Sequence, residues 1–381
     1  MKTSISNRFI DGLTFDDLLL QPAYSDFKRD DISLRTKLTK KIELTAPFVS
    51  APMDTVTESA LAVALGKLGG IGIIHRNLTT SNQAVEVAKV KSKGIVVGAA
   101  IGAEHFEDRV EKLVSAGVDV VVVDSAHGHT KSMINAVSKI KNRFPALQVI
   151  GGNIATKEGA VALIDAGVDG LRVGMGPGAI CTTRIVSGMG VPQMTALFEI
   201  APVSQKRGVP VVADGGITYS GDMVKALAAG ASSIMMGSFF ASCEESPGDK
   251  IMLKKKYVPL RFKDILKIEK KEYLFKTYRG MGSVGAMRQG AAIKSEEEFH
   301  GKSYADRVLV AEGVEGLVPI KGSVDTLIEQ AIGGIKSGMY YVGCQTIKDL
   351  HKSAIFIRIS QASLKESHPH DILITYAGEN Y

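Results

Sequence analysis

Eight short runs of β-branched and apolar residues, separated by segments with helical spacing, constrain the fold of this 381-residue chain more than any other feature. The runs lack polar alternation, as expected of parallel strands that are buried on both faces. Segments such as TKEGAVALIDAG and GDMVKALAAG end on Gly, which is typical of a left-handed helix cap. The eight runs are FVSA (within 47–51), IGIIH (71–75), VVGAAIG (96–102), VDVVVVDSAHG (118–128), LQVIGGNI (147–154), VDGLRVGM (168–175), VPVVADGGI (209–217) and SSIMMGSF (232–239).

An α/β fold with a closed (β/α)8 TIM barrel is the architecture that eight near-equal β-α units predict. A doubly wound open sheet is the alternative, and the similar length of the units favours closure. We interpret residues 1–381 as a single catalytic barrel domain.

A long insertion of about 85 residues (240–325) follows the eighth run. Loops of this length are uncommon unless they serve a function. We interpret it as a finger at about 247–276 and a mobile flap at about 283–316. The segment SVDTLIEQAIGGIKSGMYYVG then predicts the closing helix of the barrel, whereas the tail ASLKESHPHD is polar and shows no helical spacing.

Composition argues against membrane and secreted classes of protein. No apolar run reaches the roughly 18–20 residues of a membrane helix, and the start MKTSISNRFIDG lacks the apolar core of a signal peptide. Three cysteines, Cys181, Cys243 and Cys344, form an odd set without metal-type spacing. A disulfide framework is therefore not expected, and a reducing cytoplasm is.

The basic balance of the chain is local. The formal net charge is +6, yet residues 250–276 alone carry ten Lys or Arg against three Asp or Glu. A nucleic-acid surface is one interpretation of such a run. We favour a solvated, lysine-rich finger, because a charge run by itself indicates a solvated face.

Polar and glycine residues follow several of the predicted strands, at the barrel end where this fold carries its chemistry. The motifs ADGGI and MMGSFF end the seventh and eighth strands, and their backbone N–H groups predict a phosphate cradle. Asp214 is a candidate acceptor for a ribose diol, with a turn or helix-cap role as the alternative. These strand-end residues are Asp124, Ser125, Asn153, residues 174–181, residues 214–216, Gly237 and Ser238.

Cys181 lies in the loop GMGPGAICTTR after the sixth strand. A buried, inert cysteine is the common case, but a glycine-rich loop at the barrel mouth favours a nucleophile. Arg184 or nearby N–H groups would then favour the reactive thiolate. We interpret Cys243 and Cys344 as packing residues.

The motif VDSAHGHT offers Asp124, His127 and His129 as conceivable metal ligands. Their spacing does not match a zinc site. We therefore interpret Asp124 as an acceptor for a ligand hydroxyl.

Nine motifs, in a fixed order from about residue 8 to the C-terminus, resemble one known family. The set looks like that of the inosine 5′-monophosphate (IMP) dehydrogenase family, within the IMP dehydrogenase / GMP reductase superfamily. The motifs are LTFDDLLLQP, SAPMDTVTE, GGIGIIHRN, VVDSAHGH, GPGAICTTRIVSGMGVPQ, ADGGI, YRGMGSVGAM, EGVEGLVP and KESHPHD.

The resemblance implies oxidation of IMP to xanthosine monophosphate with NAD and water, a step of guanine nucleotide biosynthesis. Cys181 would add to C2 of the hypoxanthine ring, and hydride would leave C2 for NAD. Water would then release the covalent thioimidate, with Thr183 close to that water.

Ligand-binding residues also follow from the resemblance. The phosphate would meet Gly216, Gly237, Ser238 and Tyr278, and the ribose would meet Asp214. The purine edge would meet Met281, Gly282 and Glu312, and Ala51 and Met53 complete the implied substrate set. The implied NAD-binding residues are Asp124, Ser125, Asn153 and Gly174.

A potassium ion and a homotetramer are further implications of the resemblance. Backbone oxygens of Gly176, Gly178 and Cys181 would supply half of the ion's shell, since carbonyls can replace its hydration. The other half would be Glu366, Ser367 and His368 of a neighbouring subunit.

Three departures from the family pattern stand out. The CBS-type regulatory modules are absent near residues 90–96, where VAKVKSKGIVVGAA runs straight on. The flap reads RQGAAIKSEEEFHGKSYADR and lacks the family's Arg-Tyr-Phe run, which leaves Lys302, Tyr304 and Arg307 as candidates to activate water. Ala179 stands where a phosphate-binding serine is usual.

Two alternative functions stay open on the sequence. GMP reductase, which deaminates GMP with NADPH, shares the cysteine and Thr183 and usually lacks both the CBS modules and the Arg-Tyr pair. Against it stand Arg76 in place of a lysine, the run RIVSGMGVPQ after the cysteine motif, and the tail ESHPHD. A nucleotide-binding homologue impaired in hydrolysis is the second alternative.

Overall fold

Eight parallel strands close into a barrel in the computed structural model, which describes residues 10–262, 270–297, 310–372 and 374. The strands follow one another in chain order, and the eighth pairs with the first. Each predicted run supplies one strand, so the predicted TIM barrel is confirmed. The barrel strands are β4 Phe48–Ser50, β5 Ile71–Ile74, β6 Val97–Ile101, β7 Val120–Asp124, β8 Gln148–Ile154, β9 Gly170–Val173, β10 Val211–Asp214 and β11 Ser233–Met236.

Helices follow the strands and form the outer layer. Gly167 and Gly230 come just after two of them with φ of +102° and +104°, a conformation that glycine adopts without steric cost. The predicted closing helix is confirmed as α11. The eight outer helices are α1 Ser59–Lys67, α2 Thr80–Lys91, α3 Glu107–Ser115, α4 Lys131–Arg143, α5 Lys157–Asp165, α7 Gln193–Lys206, α8 Ser220–Ala228 and α11 Val324–Val342.

Shorter elements surround this frame. A direct connection of residues 92–96 joins α2 to β6, at the point where the family's regulatory modules would enter. The shorter elements are β1 Leu18–Leu20, β2 Thr36–Lys37, β3 Glu43–Leu44, α6 Thr183–Val186, α9 Ser238–Ala241, β12 Lys250–Lys254, β13 Glu272–Arg279, α10 Val284–Glu297, β14 Glu315–Pro319, α12 Ile347–Ser353, β15 Phe356–Arg358 and α13 Gln361–Glu366.

The barrel interior is a packed apolar core. Leu38 and Leu44, beside and within the β2–β3 hairpin, join the inward side chains of the strands at one end. Burying such side chains stabilises the fold by roughly 1.5–3 kcal/mol each. With one end filled, the opposite end, where the strands terminate, is left for polar groups. The interior cluster is Leu38, Leu44, Val49, Ala51, Ile71, Ile73, Ala100, Val120, Val122, Ile150, Val212 and Met235.

The segment between α9 and α11, here called the excursion, forms its own antiparallel sheet in the order β12-β13-β14. A second small core of Val258, Tyr273 and Phe275 supports this sheet. The excursion therefore has a structured base of its own. Residues 263–269 of the interpreted finger and 298–309 of the interpreted flap lie outside the described residues.

One expectation about the polar segments was wrong, and the other holds for the described lysines with one exception. The tail contains helix α13, which begins after Ser360, whose side chain accepts a hydrogen bond from the Ser363 N–H. So short a helix needs a cap rather than an apolar period. The lysine-rich run is not solvated throughout, because Lys276 is only 1% exposed.

Within the described ranges, no helix is both long enough and apolar enough to cross a bilayer.

Candidate active site

Three charged side chains interlock at the carboxyl ends of the barrel strands. Arg172 on β9 donates from Nε to Asp214 Oδ2 at 2.9 Å and from Nη1 to Asp124 Oδ1. Asp124 and Asp214, at the ends of β7 and β10, therefore share one guanidinium. The two carboxylates raise the pKa of Arg172 against the opposing effect of burial. A buried charge of this kind persists because it is paired.

Arg172 was not singled out from the sequence. The signal for it was an arginine inside the otherwise apolar run LRVGM. A charged residue on a strand buried on both faces is rare unless it is paired. The partners could not be read from the sequence, since they lie 48 and 42 residues away.

Asn153 joins the same network. Its Nδ2 donates to Asp214 Oδ2 at 2.7 Å, and its backbone N–H donates to the Ser125 carbonyl at 2.7 Å. Gly174 follows β9, and its N–H donates to the Ile154 carbonyl. The four residues implied for NAD thus lie on adjoining strand ends. The hydrogen bonds from Asn153 and Arg172 to the Asp214 carboxylate both end on Oδ2. They therefore leave Oδ1 able to accept from a ligand hydroxyl.

The loop that carries Cys181 is held at both ends. The Cys181 N–H donates to the Gly178 carbonyl at 3.0 Å and closes a turn. The loop then pairs with the far end of the excursion: Thr182 N–H donates to the Glu312 carbonyl and Val314 N–H donates to the Ile180 carbonyl. Cys181 is half-buried, whereas Cys243 and Cys344 are buried, as their interpretation as packing residues requires.

A chain of hydrogen bonds leads from the cysteine to a carboxylate. The Cys181 thiol donates to Thr183 Oγ1 at 3.2 Å, and Thr183 Oγ1 donates to Glu312 Oε2 at 2.8 Å. The three side chains come from the β9–α6 loop, the start of α6 and the excursion. A nucleophile whose proton can pass to a base is the arrangement that nucleophilic catalysis requires.

Arg184 does not take the predicted role beside the thiol. Its Nη2 donates to the carbonyls of Met175 and Val191 at 3.4 and 2.9 Å. Its side chain also lies close to the backbone of Gly176 and Gly190. Arg184 therefore stabilises the cysteine loop through the two backbone oxygens that its Nη2 contacts, while its Nε is buried without a partner among the described residues.

The predicted phosphate cradle begins beside the cysteine loop, because a side chain on Gly215 or Gly216 would meet Pro177 at 3.2 or 3.0 Å. Gly215 and Gly216 follow β10 with φ of +86° and +78°, and Gly237 precedes Ser238 at the start of α9. A side chain on Gly237 would come within 2.6 Å of the Tyr278 hydroxyl. Only glycine lets the tyrosine approach the strand end this closely.

Tyr278 is 5% exposed and belongs to β13 of the excursion. Burial, together with the Asp214 carboxylate, holds the pKa of its hydroxyl well above the ordinary value. The hydroxyl is therefore a neutral hydrogen-bond donor. Ala51 and Met53 approach the same region from the end of β4, with Met53 Sδ near Gly237.

An ion pair anchors the segment of Met281 and Gly282. Arg279 contacts both carboxylate oxygens of Asp54, with distances of 3.1 Å from Nε and 2.7 Å from Nη2 to Oδ2. The Glu312 N–H donates to the Gly282 carbonyl. The segment of Met281 and Gly282 is thus connected to the barrel through the Arg279–Asp54 ion pair and to Glu312 through a backbone hydrogen bond.

The residues that the family resemblance implies for potassium lie in two places. The carbonyls of Gly176, Gly178 and Cys181 lie on one glycine-rich turn, and carbonyl oxygens suit this ion. Glu366, Ser367 and His368 lie at and after the end of α13, where the His368 ring packs edge-on against Tyr219. Across the described ranges, no group of three His, Cys, Asp or Glu side chains has metal-site geometry.

Two predicted catalytic residues cannot be placed. Lys302 and Tyr304, like Arg307, lie outside the described residues.

Comparison with known proteins gives one consistent result. The IMP dehydrogenase / GMP reductase domain family matches residues 12–370. Inosine-5'-monophosphate dehydrogenase of Cryptosporidium parvum is 42% identical over 97% of this chain and 98% of its own length. The enzymes of that name from Borreliella burgdorferi and Aquifex aeolicus are 42% and 37% identical over 95% and 99% of this chain. The chain belongs to the IMP dehydrogenase / GMP reductase family.

Proposed function

We propose that this protein oxidises IMP to xanthosine monophosphate, with NAD as hydride acceptor and water as the source of oxygen. The observation that carries the proposal is the hydrogen-bonded chain Cys181–Thr183–Glu312 at the barrel mouth. It supplies a nucleophile and a proton acceptor in the same site. The family relatives named IMP dehydrogenase favour this reaction over deamination of GMP.

The first half-reaction begins at the thiol. The Cys181 proton passes through the Thr183 hydroxyl toward Glu312, and the sulfur forms a bond to C2 of the hypoxanthine ring. NAD supplies the acceptor for the hydride that leaves C2, which turns the adduct into a thioimidate. Covalent catalysis of this kind divides one difficult step into two easier ones.

We propose that four residues hold the nicotinamide riboside, namely Asp124, Ser125, Asn153 and Gly174. Arg172 keeps two carboxylates of the mouth, Asp124 and Asp214, in fixed positions. Orientation of this kind contributes to the rate because the reacting atoms must approach to about 3–3.5 Å.

The second half-reaction is hydrolysis. Glu312 first releases to solvent the proton that it took from Cys181. A water beside Thr183 then attacks C2, and its proton passes through Thr183 to Glu312. The C–S bond breaks to release xanthosine monophosphate and the Cys181 thiolate, and the proton on Glu312 returns through Thr183 to restore the thiol. The flap lacks the family's Arg-Tyr pair, so we propose that the Thr183–Glu312 pair acts as the base. Lys302 and Tyr304 remain further candidates for this role.

Different residues of the mouth bind the phosphate, the ribose and the purine of the nucleotide. Gly216, Gly237, Ser238 and Tyr278 surround the position proposed for the phosphate. Asp214 accepts from the ribose hydroxyls, and Met281, Gly282 and Glu312 flank the purine, with Ala51 and Met53 at the end of β4.

One assay tests the function. Purified protein with IMP, NAD and potassium is expected to form NADH over many turnovers. A burst that stops near one equivalent would show that hydride transfer occurs without hydrolysis and would favour the impaired homologue. Absence of NADH, together with consumption of NADPH when GMP is added, would establish the reductase instead.

A potassium site shared between subunits is the finer part of the proposal. Carbonyls of Gly176, Gly178 and Cys181 would meet Glu366, Ser367 and His368 of a neighbouring copy in a homotetramer. Deletion of residues 362–381 is expected to lower activity and remove its dependence on potassium. An unchanged potassium response of the truncated protein would contradict the shared site.

A cytoplasmic location is also proposed, because all three cysteines are free thiols and such proteins belong to reducing compartments.

A further inference from the structure

Lys276 is a buried lysine whose partners are almost all backbone oxygens. It lies on β13 and is 1% exposed. Its Nζ donates to the carbonyls of Cys243 and Glu244, each at 2.8 Å. It also contacts the Ser246 carbonyl and, at 2.9 Å, the Ser246 hydroxyl.

Such an arrangement is unusual for a lysine, which ordinarily keeps its ammonium in water. Burial lowers the pKa of Lys276, which means that holding a charged ammonium at this position costs free energy. Oxygens of three residues replace the lost hydration. An apolar side chain at this position would leave those buried carbonyls without their donor.

The two segments that Lys276 joins each continue from one part of the proposed phosphate site. Residues 243–246 directly follow α9, the helix that begins at Gly237 and Ser238. Tyr278 lies two residues after Lys276 on the same strand, and its hydroxyl packs against Gly237. The ammonium therefore fixes the distance between the cradle and the tyrosine without itself facing the cradle.

We propose that Lys276 is a positioning residue for the phosphate of the nucleotide, acting by locking Tyr278 against the Gly237–Ser238 turn. This inference rests on the proposed function, since it concerns the phosphate site of that substrate. Its consequence is selective: loss of Lys276 weakens recognition of the phosphate and leaves recognition of the nucleoside unchanged.

The chain offers a matched control. Lys250 on β12 lies opposite Lys276 in the antiparallel register and is exposed. Lys250→Met removes the same charge from the same sheet without touching the carbonyl cage. Lys276→Met and Lys276→Gln are compared with it, the glutamine variant keeping N–H donors should the methionine variant fail to fold.

Dissociation constants for IMP and for inosine, which lacks the phosphate, are measured by titration on each folded protein. Lys276→Met is expected to weaken IMP binding about tenfold and leave inosine binding unchanged, with Lys276→Gln between it and the wild type. Lys250→Met is expected to match the wild type for both ligands. An equal loss for IMP and inosine, or no loss for IMP, would overturn the inference.

Coupling to the tyrosine is tested by Tyr278→Phe, alone and combined with Lys276→Met. If the lysine acts through the tyrosine, the double variant binds IMP about as weakly as the weaker single variant. Additive losses would overturn the positioning role. A wild-type protein that binds inosine as tightly as IMP would instead remove the phosphate site itself, and the proposed substrate would fail with it.

Discussion

The two sides of the barrel mouth are held together by different means. On the barrel side, Arg172 ties Asp124 and Asp214 through side-chain ion pairs. On the excursion side, side-chain contacts such as the Arg279–Asp54 ion pair are joined by backbone pairing, as where the Thr182 N–H donates to the Glu312 carbonyl. Lys276 continues this pattern, since its ammonium is bound by carbonyls.

This difference indicates which amino-acid substitutions each side of the barrel mouth can tolerate. Ion pairs between side chains depend on the identity of particular residues, so a substitution on the barrel side removes the interaction outright. Backbone pairing depends on chain conformation and accepts many side chains. Where the excursion is held through backbone, we expect it to accept more substitutions than the barrel side, and the flap within it is where this chain departs from its family's pattern.

The largest expected effect is on the nucleophile, which belongs to the barrel side. Cys181→Ala is expected to lower kcat by roughly 10⁴-fold or more, because no other group can form the covalent bond to C2. IMP binding, measured by titration, is expected to persist. Retained turnover would refute the nucleophile assignment.

Removal of the barrel-side arginine is expected to cost stability. Arg172→Met leaves two half-buried carboxylates without the buried arginine that they share. The free energy of unfolding should therefore fall by about 3 kcal/mol, the lower end of the range for breaking a buried pair. The control is Arg207→Met, which breaks an ion pair with Asp165 on the surface and should cost at most about 1 kcal/mol. Urea unfolding measures both, and equal losses would contradict the comparison between buried and exposed pairs.

A smaller effect is expected where the two sides meet. Thr183→Val removes the hydroxyl between Cys181 and Glu312, and steady-state kcat should fall about 100-fold, a typical contribution of acid–base catalysis. The first equivalent of NADH should still form, though more slowly, because the half-buried Cys181 thiol can pass its proton to water in place of the missing Thr183 hydroxyl. Thr182→Val, one residue earlier, is the control, since no side-chain cap bond involves Thr182.

That prediction fails under either of two results in rapid-mixing experiments. Loss of the first equivalent of NADH would show that water cannot replace Thr183 in the first half-reaction. A matching loss in Thr182→Val would show a general disturbance of the loop.

The smallest effect concerns thiol reactivity. Burial raises the pKa of the Cys243 thiol, at the start of the excursion, to about 12. Burial also raises the pKa of the Cys344 thiol. Since the thiolate is the reactive form, iodoacetamide at about pH 8 should modify Cys181 alone, and IMP should protect it. Mass spectrometry of the native protein counts the adducts, and early labelling of Cys243 would contradict the closed packing of the excursion.

Local patterns in the sequence were sufficient for the barrel. Apolar runs of strand length and helices that end at Gly167 and Gly230 follow from steric rules that act over a few residues. The tail was misjudged for a related reason. Helix α13 depends on a single cap at Ser360, and an apolar period is a poor guide to a helix of one or two turns.

The candidate site divides in the same way. Cys181 and the glycine motifs were found from the sequence because strand ends face one mouth in this fold. Arg172, Lys276 and the displaced role of Arg184 were not, because each depends on a partner that is distant along the chain or on a backbone oxygen that carries no residue signature. Glu312, which we propose as the base that activates water, was only partly predicted. The family resemblance implied a place at the purine edge, and the structure shows that its carboxylate accepts a hydrogen bond from Thr183.

By itself, the sequence determined the order of the strands and the family and predicted the nucleophile, since these follow from local steric preference and from motifs read along the chain. The tertiary structure alone decided which charges pair, which lysine is buried and which carboxylate Thr183 contacts. Pairing energies depend on distance and burial across the closed barrel, and neither quantity exists until the eight strands have closed and the excursion has folded over them.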